Sequence, residues 1–267
     1  MNLFEAIVLG IVQGLAELLP ISSSAHLNLI PWIFNWTSSE DFNIAFEAFD
    51  VALHVGTLLA IAIFFFKDWL ELLIGGYNQV IKKKKTFEGK MFWYIVAATI
   101  PGGIIGFLLD HFLEDALTKP LIIAIALIIM GIILYIADEK CPSKIDYEHL
   151  SFKQTFIIGV SQSLAFIPGV SRSGVTMTVA RILGVDRESA AKYSFMLSAP
   201  IVAGAALYKL KDFVFSFNFF AGVLASFIVG ILVIKFLLEY LKKGSFKAFA
   251  IYRVILGVFV IALCIIR

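Results

Sequence analysis

Residues 10–24 read Gly10-Ile11-Val12-Gln13-Gly14-Leu15-Ala16-Glu17-Leu18-Leu19-Pro20-Ile21-Ser22-Ser23-Ser24. Residues 159–173 read Gly159-Val160-Ser161-Gln162-Ser163-Leu164-Ala165-Phe166-Ile167-Pro168-Gly169-Val170-Ser171-Arg172-Ser173. Gly, Gln, Leu, Ala and two serines match at a constant offset of 149, with proline shifted by one. Each stretch is an apolar segment broken near its middle by proline and a serine cluster. The surrounding segments, about 3–34 and 155–183, are too long for one membrane crossing and too short for two. A broken helix survives in a bilayer only where protein or a wet cavity satisfies the freed backbone groups. Both segments therefore read as re-entrant helical hairpins.

Composition supports a bilayer setting. Of 267 residues, 60% are hydrophobic and 16% charged, with a mean hydropathy of +0.92. Soluble domains run near 45–50% apolar and about 25% charged. Apolar runs near 46–66, 91–109, 120–137, 193–208, 217–240 and 248–266 predict six transmembrane helices, three after each hairpin. The expectation is an all-α integral membrane protein, one membrane domain over 1–267, built as an inverted-topology repeat of 1–138 and 151–267. Net charge is +2, and no basic domain suggests a nucleic-acid partner. Cys141 and Cys264 make no metal-binding spacing.

Charge placement predicts the topology. No Lys or Arg precedes Lys67. The 67–90 loop, with Lys67, Lys82–Lys85 and Lys90, then Lys140, Lys144 and Lys153, then Arg187 and Lys192, then Lys242, Lys243 and Lys247 mark the cytoplasmic side. Asp110, Glu114 and Asp115 mark an outer loop, with Lys209 and Lys211 the discordant pair. Both termini are expected outside the cytoplasm. The hairpins then dip in from opposite sides, and their tips meet near the midplane.

The chemistry sits at the two breaks. Gln13 and Glu17 share a helix face at i, i+4. Ser22 and Ser23 open the second arm, and His26 follows within one turn. Ionisable groups in apolar runs are costly and functional by default. Arg172, between Ser171 and Ser173 and followed by Gly174, suits phosphate oxygens. An Arg172–Glu17 pair would join the two hairpins. Arg181 is expected to snorkel. Lys235 and Glu239 lie near a helix end. Glu47, Asp50 and His54 could line the mouth of the site, although ordinary interfacial placement is favoured.

At these residues the chain resembles the undecaprenyl-diphosphatases of the bacitracin-resistance type. Their first motif stands here as Gln13, Glu17, Pro20, Ser22, Ser23 and His26, with Gln13 in place of a more frequent Glu. Their second stands as Pro168-Gly169-Val170-Ser171-Arg172-Ser173-Gly174. The resemblance implies hydrolysis of undecaprenyl pyrophosphate to the monophosphate in the bacterial plasma membrane. It recycles the carrier lipid of cell-wall synthesis, gives bacitracin resistance, and uses a divalent cation, Mg²⁺ or Ca²⁺. Glu17, Ser23, His26 and Arg172 are the expected catalytic residues, with Ser22, Ser171, Ser173 and Gly174 at the phosphates. Glu17, with Gln13 as its neighbour, is expected to hold the metal or to act as general base. Ser23 with His26 as its base, His26 itself, or an activated water each remain open as the nucleophile. A polyprenyl phosphate flippase using the same site is the rival reading, and a homodimer is compatible with either.

Overall fold

The structure is a computed structural model describing residues 1–38, 40–109, 117–208 and 216–267. Asp110, Glu114, Asp115, Lys209, Lys211 and the side chain of Glu47 lie outside the described residues. All regular elements described are helical. They are α1 (Leu3–Ala16), α2 (Ser23–Ile33), α3 (Glu40–Phe64), α4 (Phe66–Ile81), α5 (Phe87–Leu109), α6 (Pro120–Lys140), α7 (Phe152–Ser161), α8 (Arg172–Ile182), α9 (Arg187–Tyr208), α10 (Phe217–Leu241) and α11 (Lys247–Ile266).

Among the described residues, α6, α9, α10 and α11 are each long and apolar enough to cross a membrane. The pair α3 and α4, bent by 77° at Phe65, makes a fifth candidate when taken together. The apolar surface is turned outward, as a bilayer solvent requires. On α6, Leu121, Ile125, Ile129, Ile132 and Ile136 are exposed at helical spacing, while Ala124, Leu127 and Leu134 are buried.

Helix α4 corrects the reading of 67–90 as a loop. Lys67, Asp68 and Glu71 break up the apolar run, yet Leu72, Gly75 and Gly76 fall on one buried face. That face packs on α5. An amphipathic helix needs only such a stripe.

The two broken segments share their local geometry. Helix α1 starts with a capping box between Asn2 and Glu5, and α7 with one between Ser151 and Gln154. After each break the next helix is capped by a serine with positive φ, Ser22 at 78° and Ser171 at 72°. Each cap hydroxyl accepts from the backbone N–H three residues on, Ala25 or Gly174. Each also lies 3.2 Å from the hydroxyl two residues on, Ser24 or Ser173. Non-glycine residues rarely adopt this backbone conformation, and it persists only where the surroundings enforce it.

The segments also pack crosswise. α1 lies along α10, and α7 along α5. Gly10 and Gly159 make these contacts close: a Cβ on either would strike the carbonyl of Gly222 or Ala98.

At the end carrying Lys140 and Arg187, Asp138 is buried and ties four elements together. It accepts from Arg181 Nε at 3.1 Å, Arg187 Nε at 2.7 Å and the Phe246 N–H at 2.9 Å. Arg181 does not snorkel. It is 1% exposed and also donates to the carbonyls of Pro142, Cys141 and Val185. Carbonyls left open at the C-terminus of α6 give this cation a better environment than the interface.

Candidate active site at the junction of two helix breaks

The tips of the two broken segments touch, and their polar groups form one cluster. Glu17 stands where α1 ends, its own N–H still bonded to Gln13 O. The carboxylate is 7% exposed. Its Oε1 receives Nη2 of Arg172, the first residue of α8. Its Oε2 receives the Ser23 hydroxyl at 2.5 Å and the Gln13 amide at 3.3 Å. One carboxylate thus gathers a guanidinium from the second segment and a hydroxyl and an amide from the first. The Glu17–Arg172 pair anticipated from sequence is formed.

Arg172 is only partly used. Its Nη1 is buried and, among the described residues, has no hydrogen-bond partner. A spare guanidinium nitrogen on a half-buried side chain is a ready donor for an anionic oxygen. Gln13 Oε1 is also buried without a partner, so an acceptor is free beside the carboxylate.

The Ser23–His26 hydrogen bond considered from sequence is not formed. Ser23 points at Glu17, and both ring nitrogens of His26 are engaged elsewhere. Nδ1 is 2.7 Å from Ser22 O, so it carries the hydrogen, and Nε2 is 2.6 Å from the Tyr252 hydroxyl. The two rings also stack, with centroids 5.7 Å apart. Sequence distance explains the miss, because Tyr252 comes from the last helix and no local spacing predicts it. Ser22 and Ser171 are caps, and Ser173 Oγ donates to Leu19 O at 3.0 Å across the junction. Gly174 leaves room for Arg253, whose Nη1 would lie 2.5 Å from a Cβ there.

Arg253 was hidden in a run read as plainly apolar. It is fully buried and donates to Pro20 O at 3.2 Å, Gly169 O at 2.7 Å and Val170 O at 2.9 Å. One guanidinium therefore satisfies carbonyls freed by both helix breaks, as a membrane interior demands. The signal was available: a cation at depth in an apolar helix, the same signal that marked Glu17 and Arg172.

His54 was also underrated. Its Nε2 lies 3.4 Å from Glu17 Oε2, and its Nδ1 hydrogen goes to Asp50 O at 2.8 Å. Asp50 Oδ1 is 3.6 Å from the same nitrogen. Lys235 and Glu239 are exposed at a distant helix end, with Glu239 paired to Lys242.

A helical membrane protein with one buried carboxylate, an arginine with a spare donor, a hydroxyl and two imidazoles at a pair of broken-helix tips is built to handle an anionic group at a lipid boundary. Residues 6–259 match the family described as Bacitracin resistance protein BacA, and the chain belongs to that family. It is 50% identical to an undecaprenyl-diphosphatase of Pelotomaculum thermopropionicum over 270 residues, covering 100% of this chain and 98% of that protein. It is 46% identical to one from Desulforudis audaxviator, with 100% of both chains covered. A Moorella thermoacetica relative of the same description is 45% identical over 98% of each.

Proposed function

We propose that this protein is an undecaprenyl-diphosphatase, hydrolysing undecaprenyl pyrophosphate to undecaprenyl phosphate and inorganic phosphate. The reaction returns carrier lipid to cell-wall synthesis and underlies bacitracin resistance. The observation that carries the reading is the Glu17–Arg172–Ser23 cluster. It sets a guanidinium with one unused nitrogen beside a hydroxyl whose proton already faces a carboxylate.

In this reading the pyrophosphate draws Arg172 onto its oxygens, with the N-terminal ends of α2 and α8 adding their dipoles. Ser23 Oγ attacks the terminal phosphorus, and its proton passes to Glu17. The bond to the bridging oxygen breaks, and undecaprenyl phosphate leaves with the electron pair. Undecaprenyl phosphate takes that proton from Glu17 as it departs, so Glu17 can next deprotonate the water that attacks the phosphoserine. The Ser23–phosphorus bond breaks, Glu17 returns the proton to Ser23 Oγ, and inorganic phosphate is released. Such transfers depend mainly on positioning and charge stabilisation. His26 holds the start of α2 through Ser22 O and is itself held by Tyr252.

Among the described residues no three His, Cys, Asp or Glu side chains converge as a metal cage. The unpartnered Gln13 Oε1 beside Glu17 fits a different arrangement. Glu17 and Gln13 offer hard oxygen donors, and Mg²⁺ typically takes one or two carboxylates plus substrate phosphates. A bound divalent cation would neutralise charge on the phosphoryl oxygens.

We further assign six crossings, two re-entrant hairpins and inverted repeats over 1–138 and 151–267, in the bacterial plasma membrane with both termini outside the cytoplasm. The matched serine caps and crosswise packing support this, as does the clustering of lysines at 82–85. A mostly apolar cleft of about 360 Å³ between α5 and α9, lined by Gly102, Gly103, Gly106, Phe166, Pro200 and Gly204, is assigned to a short stretch of the polyprenyl tail, the rest lying in the bilayer.

The test is phosphate release from undecaprenyl pyrophosphate by purified protein in detergent, with and without EDTA. Release of one phosphate per lipid, lost with EDTA and restored by Mg²⁺ or Ca²⁺, is expected. Lipid movement across vesicles without phosphate release would establish the flippase instead.

A further inference from the structure

Glu17 is held by Arg172 on Oε1 and by Ser23, Gln13 and His54 on Oε2. Arg172 holds Oε1 and must let go when it turns to the pyrophosphate. The carboxylate is then a buried charge stripped of its main partner, and stripping one side of a buried pair is strongly unfavourable. It would also be free to rotate away from Ser23. Of the groups on Oε2, the Gln13 amide is neutral, and the side chain that can counter the charge is His54. His54 Nε2 lies 3.4 Å from that oxygen, the same oxygen that accepts the Ser23 hydroxyl.

His54 is built into place. It lies on α3, and its Nδ1 hydrogen goes to Asp50 O one turn earlier. That bond fixes the ring plane and aims Nε2 at Glu17, as the second bond of an oriented imidazole commonly does. Among the described residues, the charged groups around it are Glu17 at the end of α1, Asp50 from its own helix, and Arg172 from α8 across the carboxylate. As an imidazolium, with Nδ1–H given to a carbonyl, His54 turns Nε2–H toward Glu17 and links Asp50 through His54 and Glu17 to Ser23.

We propose that His54 is a positioning residue for the reaction, a fixed donor that keeps Glu17 aligned with Ser23 while Arg172 serves the substrate. It acts through Glu17 and touches no reacting atom. The inference rests on the hydrolase reading above, and it predicts which substitutions are tolerated. Glutamine places an amide N–H₂ near the position of Nε2, so it keeps the donor and discards the ring. Leucine keeps the volume and discards the donor.

The experiment measures phosphate release from undecaprenyl pyrophosphate by wild type, His54→Leu and His54→Gln, with thermal unfolding of each in detergent. Losing one hydrogen bond to a charged group predicts a kcat roughly 10- to 100-fold lower in His54→Leu, with KM little changed. His54→Gln should recover to within about fivefold of wild type, the range of a slightly altered hydrogen bond. A role in packing alone would show as lost thermal stability and not as this kcat effect rescued by an amide. His54→Leu at the wild-type rate, or His54→Gln as impaired as His54→Leu, overturns the proposal. Should the leucine variant not fold, His54→Asn replaces it, because its amide is one methylene too short to reach Glu17, and the same two outcomes apply. Absence of phosphate release by wild type sinks the hydrolase reading itself, so the two failures are told apart.

Discussion

Replacing Arg172 with lysine separates charge from shape. The guanidinium uses Nη2 on Glu17 and keeps Nη1 unpartnered, so its fork can meet a phosphate oxygen through Nη1 before Nη2 leaves the carboxylate. Lysine retains a cation able to pair with Glu17, so the fold should survive. It cannot offer two donors in a fixed plane. One charge-assisted hydrogen bond is worth about 1.5–3 kcal/mol. Removing one preorganised donor from a developing anion costs about 2.7–4 kcal/mol. The two figures bracket the same lost contact and imply a fall in kcat of roughly 10- to 1,000-fold at about 1.4 kcal/mol per decade. The assay is phosphate release at saturating lipid, beside a melting curve in the same detergent. Arg172→Ala gives the contrasting case: it strands Glu17, and stability should drop by about 3–5 kcal/mol as well. Turnover near wild type in Arg172→Lys, with an unchanged melting curve, would remove the guanidinium fork from the mechanism.

Other perturbations test the remaining parts. Arg253→Met leaves Pro20, Gly169 and Val170 carbonyls unsatisfied, so unfolding should shift down by at least about 1–3 kcal/mol, with activity lost alongside; an active, equally stable variant would show that another group satisfies the tips. Ser23→Ala should abolish turnover and any acid-stable phosphoenzyme, and a variant that still turns over would assign the attack to water. Tyr252→Phe should cost far less than His26→Ala, because Ser22 O still holds the ring; equal losses would place the Tyr252 hydroxyl in the chemistry. Gly10→Leu should prevent assembly by forcing α1 off α10, read as loss of folded protein after detergent extraction.

The sequence carried the helical membrane class because apolar surface on this scale has no place in water. It carried the two breaks too, since proline and serine caps are local signals. The Glu17–Arg172 pair was legible because each is an ionisable residue in an apolar run. Other features depend on contacts that no spacing encodes. Tyr252 reaches His26 and Arg253 reaches Pro20 across more than two hundred residues. His54 looked interfacial because it sits near acidic residues at a helix start; its role appears only once α1 places Glu17 against it. Arg181 looked like an end-of-helix cation, and the buried Asp138 that claims it lies on another helix. Helix α4 was concealed because charge interrupts its apolar stripe.

Glu17 is the hub of the account, and Glu17→Gln tests it most directly. The amide can still accept from Arg172, so the fold should hold, but it no longer takes the Ser23 proton. It also no longer competes with pyrophosphate for the guanidinium. Phosphate release should be at least about 100-fold slower, the minimum usual for loss of a positioned base, while binding of a methylene-bridged pyrophosphate lipid, measured in EDTA, stays as tight as wild type or tightens. A Glu17→Gln variant that hydrolyses undecaprenyl pyrophosphate at the wild-type rate would contradict the account.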